Sequence, residues 1–217
     1  VNLNSALSLA AKVSLFGGDI SINQNLTSTL SGAPILLQAT GAINLASGKT
    51  IQSNAGDVTL IACSGGAATS AESAIYLISG SQILTSGGDI TLGGAYAGSE
   101  GNLYAATTNA GGGFAVRLIS ATLSAGGGDI RVYGRNIPFY GDGVFLSAVS
   151  ITTNGAGTIG IYGDSYGGSY TSGTTTFYGG ITFDINASLI QTENGNLTLK
   201  GILTESVSTS GYGINFY

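Results

Sequence analysis

The chain has 217 residues, of which 37 are glycine, 43% are hydrophobic and only 8% are charged. A net charge of −5 with 6 basic residues argues against a nucleic-acid binder, and the absence of histidine excludes Ser-His-Asp and Cys-His catalysis within the chain. No apolar run approaches the roughly 18 residues that a membrane-spanning helix needs, so membrane insertion is not expected.

One short motif recurs along the chain: a Gly-Gly-Asp turn followed by an apolar-x-apolar triplet. It is clearest at residues 87–92, which read GGDITL. In six copies of the motif, the position of the aspartate is occupied by Asp19, Asp57, Asp89, Asp129, Thr158 and Asn196. These positions are 38, 32, 40, 29 and 38 residues apart, which indicates a repeat with insertions of variable length.

Residues 1–22 come first and are predicted to form an incomplete coil. The triplets that begin at Leu7, Val13 and Ile20 would be its three short strands, because each has apolar residues on either side of a serine. The 20 residues between Ile22 and Ile43 would then be the first insertion.

From Ile43 onward, each unit has three triplets separated by Gly, Ser or Asn. The outer residues of a triplet share one face of a strand, so stacked units bring them into inward columns. The column of first strands is predicted to contain Ile43, Ile75, Val116, Val144, Ile181 and Ile214. The column of third strands is predicted to contain Ile20, Val58, Ile90, Ile130, Ile159 and Leu197.

These patterns predict an all-β fold, a right-handed parallel β-helix of about six coils with three short strands each. Residues 1–217 would be a single domain with insertions at one corner. The triplet that begins at Ile214 matches the opening strand of a seventh coil. We therefore expect the chain to be a fragment of a longer repeat protein, or to stack end to end with further copies of itself.

The insertions at residues 93–115 and 162–180 are rich in aromatic residues set among Gly, Ser and Thr. Folding of these rings over the flank of the solenoid would explain them structurally. Tyrosine also makes contacts well, because it buries a large area and keeps a polar tip. The predicted contact surface, toward a neighbouring filament, a glycan or a cell-surface protein, consists of Tyr96, Tyr104, Tyr162, Tyr166, Tyr170, Phe177 and Tyr178.

The aspartates of the motif have two interpretations, turn formation and cation binding. Asp after Gly-Gly accepts hydrogen bonds from nearby backbone N–H groups, and Thr158 and Asn196 do the same without charge. The nine-residue period of calcium-binding β-rolls is absent. We therefore predict a turn role, with no metal and no cofactor, and a structural role for the single Cys63.

Two other function classes deserve consideration. Parallel β-helices can carry polysaccharide-cleaving sites, and the best acid-base cluster in this sequence is Arg131, Arg135, Asp142 and Asp164. Ice or crystal binding would need a regular outward array of threonine. The predicted array is Ser21, Thr59, Thr91, Arg131, Gly160 and Thr198, which is too irregular to favour that function.

The repeated GGDITL turn and strand, with the I-x-L and I-x-T-S-G-G triplets, resembles the filamentous-haemagglutinin-like exoproteins of Gram-negative bacteria. The resemblance covers essentially the whole chain and concerns a structural repeat. It implies a secreted or cell-surface β-solenoid that acts as a non-enzymatic filament or adhesin. The alternative function is a β-helix protein that binds or degrades polysaccharide.

Overall fold

The computed structural model of the chain is an all-β parallel β-helix, as the sequence predicts. It describes residues 1–97, 103–108, 113–137, 141–165, 171–172, 174–175, 178–184, 186–203 and 211–216, with the backbone alone at 171–172, 174–175, 178 and 211–212. Within these residues there is no helix, and three parallel sheets account for almost all of the strands. Successive strands of the main path join sheets I, II and III in turn, which makes each set of three strands one coil.

Sheet I contains β1 (Asn2–Leu3), β4 (Ile20–Ile22), β7 (Ile43–Leu45), β10 (Ser73–Leu77), β15 (Phe114–Ile119), β18 (Val144–Ser147), β23 (Tyr178–Phe183) and β26 (Gly211–Phe216). Sheet II contains β2 (Leu7–Leu9), β5 (Leu26–Ser28), β8 (Thr50–Ser53), β11 (Gln82–Thr85), β16 (Thr122–Ser124), β19 (Ser150–Thr153) and β24 (Leu189–Thr192). Sheet III contains β3 (Val13–Gly17), β6 (Ile35–Ala39), β9 (Val58–Ala62), β12 (Ile90–Gly94), β17 (Ile130–Asn136), β20 (Ile159–Ser165) and β25 (Leu197–Leu203).

Two smaller features lie in the insertions. β13 (Tyr96–Ala97) pairs antiparallel with β14 (Leu103–Thr107), which in turn pairs parallel with the end of β17. A short hairpin joins β21 (Thr171–Ser172) and β22 (Thr174–Thr175). The pairing of β14 shows that an insertion can add a strand to sheet III.

The core consists of inward columns of β-branched residues and leucine. Ile43, Ile75, Val116, Val144 and Ile181 stand in register along sheet I and are completely buried. Sheets II and III have equivalent buried columns. Because branched side chains are stiff and fit closely on a pleated surface, isoleucine and valine stack well at the spacing of about 4.8 Å between coils.

The first copy of the Gly-Gly-Asp motif lies at a different corner from the later ones. Ile20 was predicted in the column of Val58, but it pairs with Ile43 in sheet I, and Val58 pairs with Ile35. Ser21 is accordingly absent from the outward column of Thr59, where Leu36 takes that place. The prediction was wrong because the same turn and triplet fit the corner before sheet I as well as the corner before sheet III.

The predicted first insertion is an ordinary part of the solenoid. β5 and β6 occupy it, so the described residues form seven coils and the opening strand of an eighth, in place of about six coils. The other five predicted insertions do lie at one corner, between a strand of sheet III and the next strand of sheet I. This common exit brings them to the same edge of the molecule, where the candidate site lies.

Candidate functional site

The motif aspartates hold successive coils together. Oδ1 of Asp57 accepts a hydrogen bond from the backbone N–H of Asp89 at 2.9 Å, and Asp89 binds the N–H of Asp129 at 2.8 Å in the same way. Asp129 then binds the N–H of Thr158 at 2.7 Å, and this bond lowers the pKa of its carboxyl. The predicted acceptance of backbone N–H bonds is observed, but each carboxylate bonds the aligned residue of the next coil, whereas the sequence predicts a bond within its own turn.

The same chemistry occurs at the other corner. Oδ1 of Asp19 accepts from the N–H of Ala42 at 2.8 Å, and Ala42 is the residue aligned with Asp19 in the next coil. The aspartate of a Gly-Gly-Asp turn therefore satisfies a backbone N–H of the next coil at either corner.

Three of the five insertions between sheets III and I begin with a close contact between two glycines. A Cβ atom on Gly134 would collide with the carbonyl oxygen of Gly143, and Gly163 meets Gly180 in the same manner. Gly201 and Gly213 form a third such pair. The outgoing and returning limbs of an insertion thus touch backbone to backbone, which closes its base.

Beyond these contacts, β14 and the ends of β17 and β20 stack on one another and extend sheet III into the insertions. Thr107, Asn136 and Ser165 are aligned in register and buried. Each donates a side-chain hydrogen bond to a carbonyl on the returning limb of the preceding coil, namely that of Ala71, Gly113 or Gly141, at 2.5, 2.6 and 2.9 Å. The insertions therefore form a second stacked column, which we call the insertion edge.

Tyrosine rings run along the insertion edge. The rings of Tyr133 and Tyr162 are stacked with centroids 4.9 Å apart, and Tyr104 meets Tyr133 edge to face at 6.0 Å. Burial and the neighbouring Tyr162 raise the pKa of the Tyr133 hydroxyl, so it is neutral at physiological pH. Tyr133 was not singled out by sequence, although its alignment with Tyr162 in the IRVYG and IGIYG strands was a usable signal.

The predicted contact residues have different environments. Tyr104 is 1% exposed and so offers little area to a partner, whereas Tyr96 and Tyr162 are half-buried. Tyr166, Tyr170 and Phe177 lie outside the described residues, and for Tyr178 the backbone alone is described, within β23. The described part of the contact surface is therefore centred on Tyr96, Tyr133 and Tyr162.

The candidate acid-base cluster is divided among separate contacts. Nε of Arg135 lies 3.4 Å from the buried Asp164, and its guanidinium is 5.6 Å from the centre of the Tyr96 ring. Arg131 pairs with Asp89 at 3.0 Å and with Asp129. Of the four members, Arg135 and Asp164 therefore pair with each other, whereas Arg131 and Asp142 have other partners.

Asp142 is the fourth member of that cluster, and it has a structural environment. Its Oδ1 accepts hydrogen bonds from the N–H of Gly179 at 2.7 Å and from Oγ1 of Thr182 at 2.6 Å. Burial raises the pKa of the Asp142 carboxyl to about 7, against the lowering effect of those two bonds. The group therefore ties two returning limbs together and has a proton equilibrium near neutrality.

Cys63 is also part of the insertion edge. Its thiol is buried and lies 3.1 Å from the carbonyl oxygen of Ala106, and burial raises its pKa, which keeps it protonated and unreactive. Over the described ranges, no three Cys, Asp or Glu side chains group closely enough to hold a metal ion. Nor does any helix there have the length and apolarity to cross a membrane.

Comparison with known proteins gave no match: no family model, curated protein sequence or solved structure is significantly similar to this chain.

Proposed function

We propose that this chain is a segment of a non-enzymatic extracellular filament or adhesin, of the filamentous-haemagglutinin-like kind that its repeat resembles. The solenoid provides length and stiffness, and its side surfaces contact a glycan or a cell-surface protein. One observation carries the proposal: the charged side chains that could do acid-base chemistry are engaged in holding the coils together. Among the described residues, contacts that join one coil to another are made by the motif aspartates, Arg131, Asp142 and the Arg135–Asp164 pair.

The insertion edge is the proposed contact surface. Its tyrosines are held by stacking on one another, and Arg135 anchors the Tyr96 region through a 3.1 Å hydrogen bond to the carbonyl of Ala97. Leu103 beside them is 56% exposed. Rigid aromatic residues with an arginine nearby are the groups that contribute most to binding energy in protein interfaces.

The exposed end of the last coil is the proposed site of contact with the next coil or copy along the helix axis. Leu197 is 46% exposed and Phe216 69%, and these residues border an open groove of about 350 Å³ that also contains Phe183 and Ile190. Further coils or another copy of the chain would cover this surface with the same parallel strand pairing that joins every pair of coils within it.

Adhesion assays test the proposal. Beads coated with the chain are expected to bind target cells or surfaces, and a Tyr133→Ser, Tyr162→Ser double variant should bind them several-fold less. Tyr76→Ser is the matched control, because Tyr76 is a half-buried tyrosine on sheet I and is not one of the stacked tyrosines of the insertion edge. Catalytic release of new sugar ends from a panel of polysaccharides would contradict the non-enzymatic function, and beads that bind nothing would contradict adhesion.

The alternative, a polysaccharide-binding protein, has support from a separate surface. The outward strand positions of sheet II are mostly polar and uncharged, and two grooves lie on this face.

A further inference from the structure

The outward positions of sheet II have a distinctive composition. Along its seven strands, hydroxyl or amide side chains occupy ten of the twelve outward positions: Ser8, Thr27, Thr50, Gln52, Gln82, Thr122, Ser124, Ser150, Thr152 and Gln191. The other two are Leu84 and Leu189. None of the twelve is charged.

The other sheets differ from this. Sheet I has Arg117 on its outer face, where the guanidinium packs over the rings of Tyr76 and Phe114, and sheet III has Arg131 and Tyr133. Solubility alone does not explain the absence of charge on sheet II, because charged residues would keep this face soluble equally well. The face provides an array of neutral donors and acceptors at a spacing of about 4.8 Å along the helix axis.

Two grooves lie on this face, and they are built in the same way. The first, of about 210 Å³, is lined in part by Thr27, Gln52 and Asn54, and the second, of about 540 Å³, by Thr152, Gln191 and Asn154. In both, a threonine of one coil is aligned with a glutamine of the next coil.

The key polar groups of the grooves are available to a ligand. Gln52 and Gln191 are exposed, and within the described parts of the chain their side chains make no hydrogen bond to protein. By contrast, Glu193, a carboxylate that also lines the second groove, accepts a hydrogen bond from the N–H of Gly155 at 2.7 Å. Each glutamine can donate and accept at once, as a sugar hydroxyl also does.

We propose that the outer face of sheet II binds a neutral polysaccharide that lies along the helix axis and occupies both grooves. This inference rests on the proposed function and names the ligand class of a second surface. An anionic polymer or nucleic acid would require lysine or arginine, which the strand positions of this face lack. A protein partner would require aromatic or arginine anchors, which are also absent from those positions.

The spacing of the grooves favours a long ligand. They are four coil steps apart, or about 19 Å, so one extended sugar chain can reach both. Each groove alone binds weakly, because hydrogen bonds exchanged with water contribute little net free energy. A polymer that occupies both grooves gains from the high effective concentration of the second contact.

Affinity electrophoresis of the purified chain tests the site. Native gels would contain dextran, mannan, galactomannan, hydroxyethylcellulose or dextran sulfate, the last being the anionic counterpart of dextran. We expect at least one neutral polysaccharide to retard the chain and dextran sulfate not to retard it. Gln52→Ala and Gln191→Ala should each weaken retardation about 3- to 10-fold, and the double variant should abolish it.

Asn44→Ala on sheet I and Thr91→Ala on sheet III are the matched controls and should leave retardation unchanged, with thermal unfolding to verify folding. Absence of retardation by all four neutral polysaccharides would overturn the proposal, as would a preference for dextran sulfate or normal retardation of the double glutamine variant. Failure here is distinguishable from failure of the proposed function, because bead adhesion through Tyr133 and Tyr162 is measured separately.

Discussion

At the scale of single residues, the two faces of each strand have opposite requirements. Ile90 and Thr91 are neighbours on β12, but Ile90 stacks between Val58 and Ile130 in the core, and Thr91 is aligned with Arg131 on the outer face. A carboxylate at the first position would be desolvated without a partner, whereas at the second it would meet water and a guanidinium.

Ile90→Asp should therefore lower the free energy of unfolding by several kcal/mol, whereas Thr91→Asp should change it by less than about 1 kcal/mol. Urea unfolding of both variants measures the difference. If Thr91→Asp proved the more damaging change, the assignment of strand faces would be wrong.

Asp142 predicts a dependence of stability on pH. Its pKa is about 7 in the folded chain and about 4 in an unfolded one, so the folded state holds a proton that the unfolded state releases between these values. The stability associated with this group is fully present below about pH 4 and is lost as the pH rises to about 7, by on the order of 4 kcal/mol.

Asp142→Asn should remove this loss, because the amide oxygen can still accept from Gly179 and Thr182 and the side chain no longer ionises. Unfolding free energies at pH 5 and pH 8 provide the test. We expect the variant to be more stable than the wild type at pH 8, with a smaller difference at pH 5. Equal pH dependence of the two proteins would show that Asp142 is not the titrating group.

At the scale of elements, the glycine pairs determine how closely the insertions can return to the solenoid. Gly163→Ala would force its Cβ against the carbonyl of Gly180, and we expect a loss of about 1–3 kcal/mol with faster hydrogen exchange around residues 178–182. Gly18→Ala is the control, because a Cβ there meets nothing within 4 Å. Equal melting temperatures for the two variants would argue against a closed base of the insertion.

The strands and the inward faces were predictable from sequence because period-2 triplets between glycine turns have a single interpretation once they repeat. The position of Ile20 was not, because Gly-Gly-Asp satisfies the same backbone N–H at either corner, and only the pairing of Ile20 with Ile43 distinguishes them. The glycine contacts were also missed. In a chain with 37 glycines, those at 134 and 163 have no local feature that marks a close backbone approach.

At the scale of the whole molecule, coil-to-coil pairing runs through all three sheets, and the insertion edge adds a second column of the same kind. The two proposed contact surfaces then lie along the sides: tyrosines on the insertion edge and uncharged polar groups on sheet II. A rod that binds at its sides is consistent with both, because each surface repeats along the axis and can engage an extended or multivalent partner.

Cryo-electron microscopy of the native assembly that contains this chain tests that account most directly. We predict a rod in which strands spaced about 4.8 Å apart continue past β25 and β26, through further coils or another copy, and cover Leu197 and Phe216. Discrete particles in which a loop or helix covers these residues, with no neighbouring strand within hydrogen-bonding reach, would contradict the account.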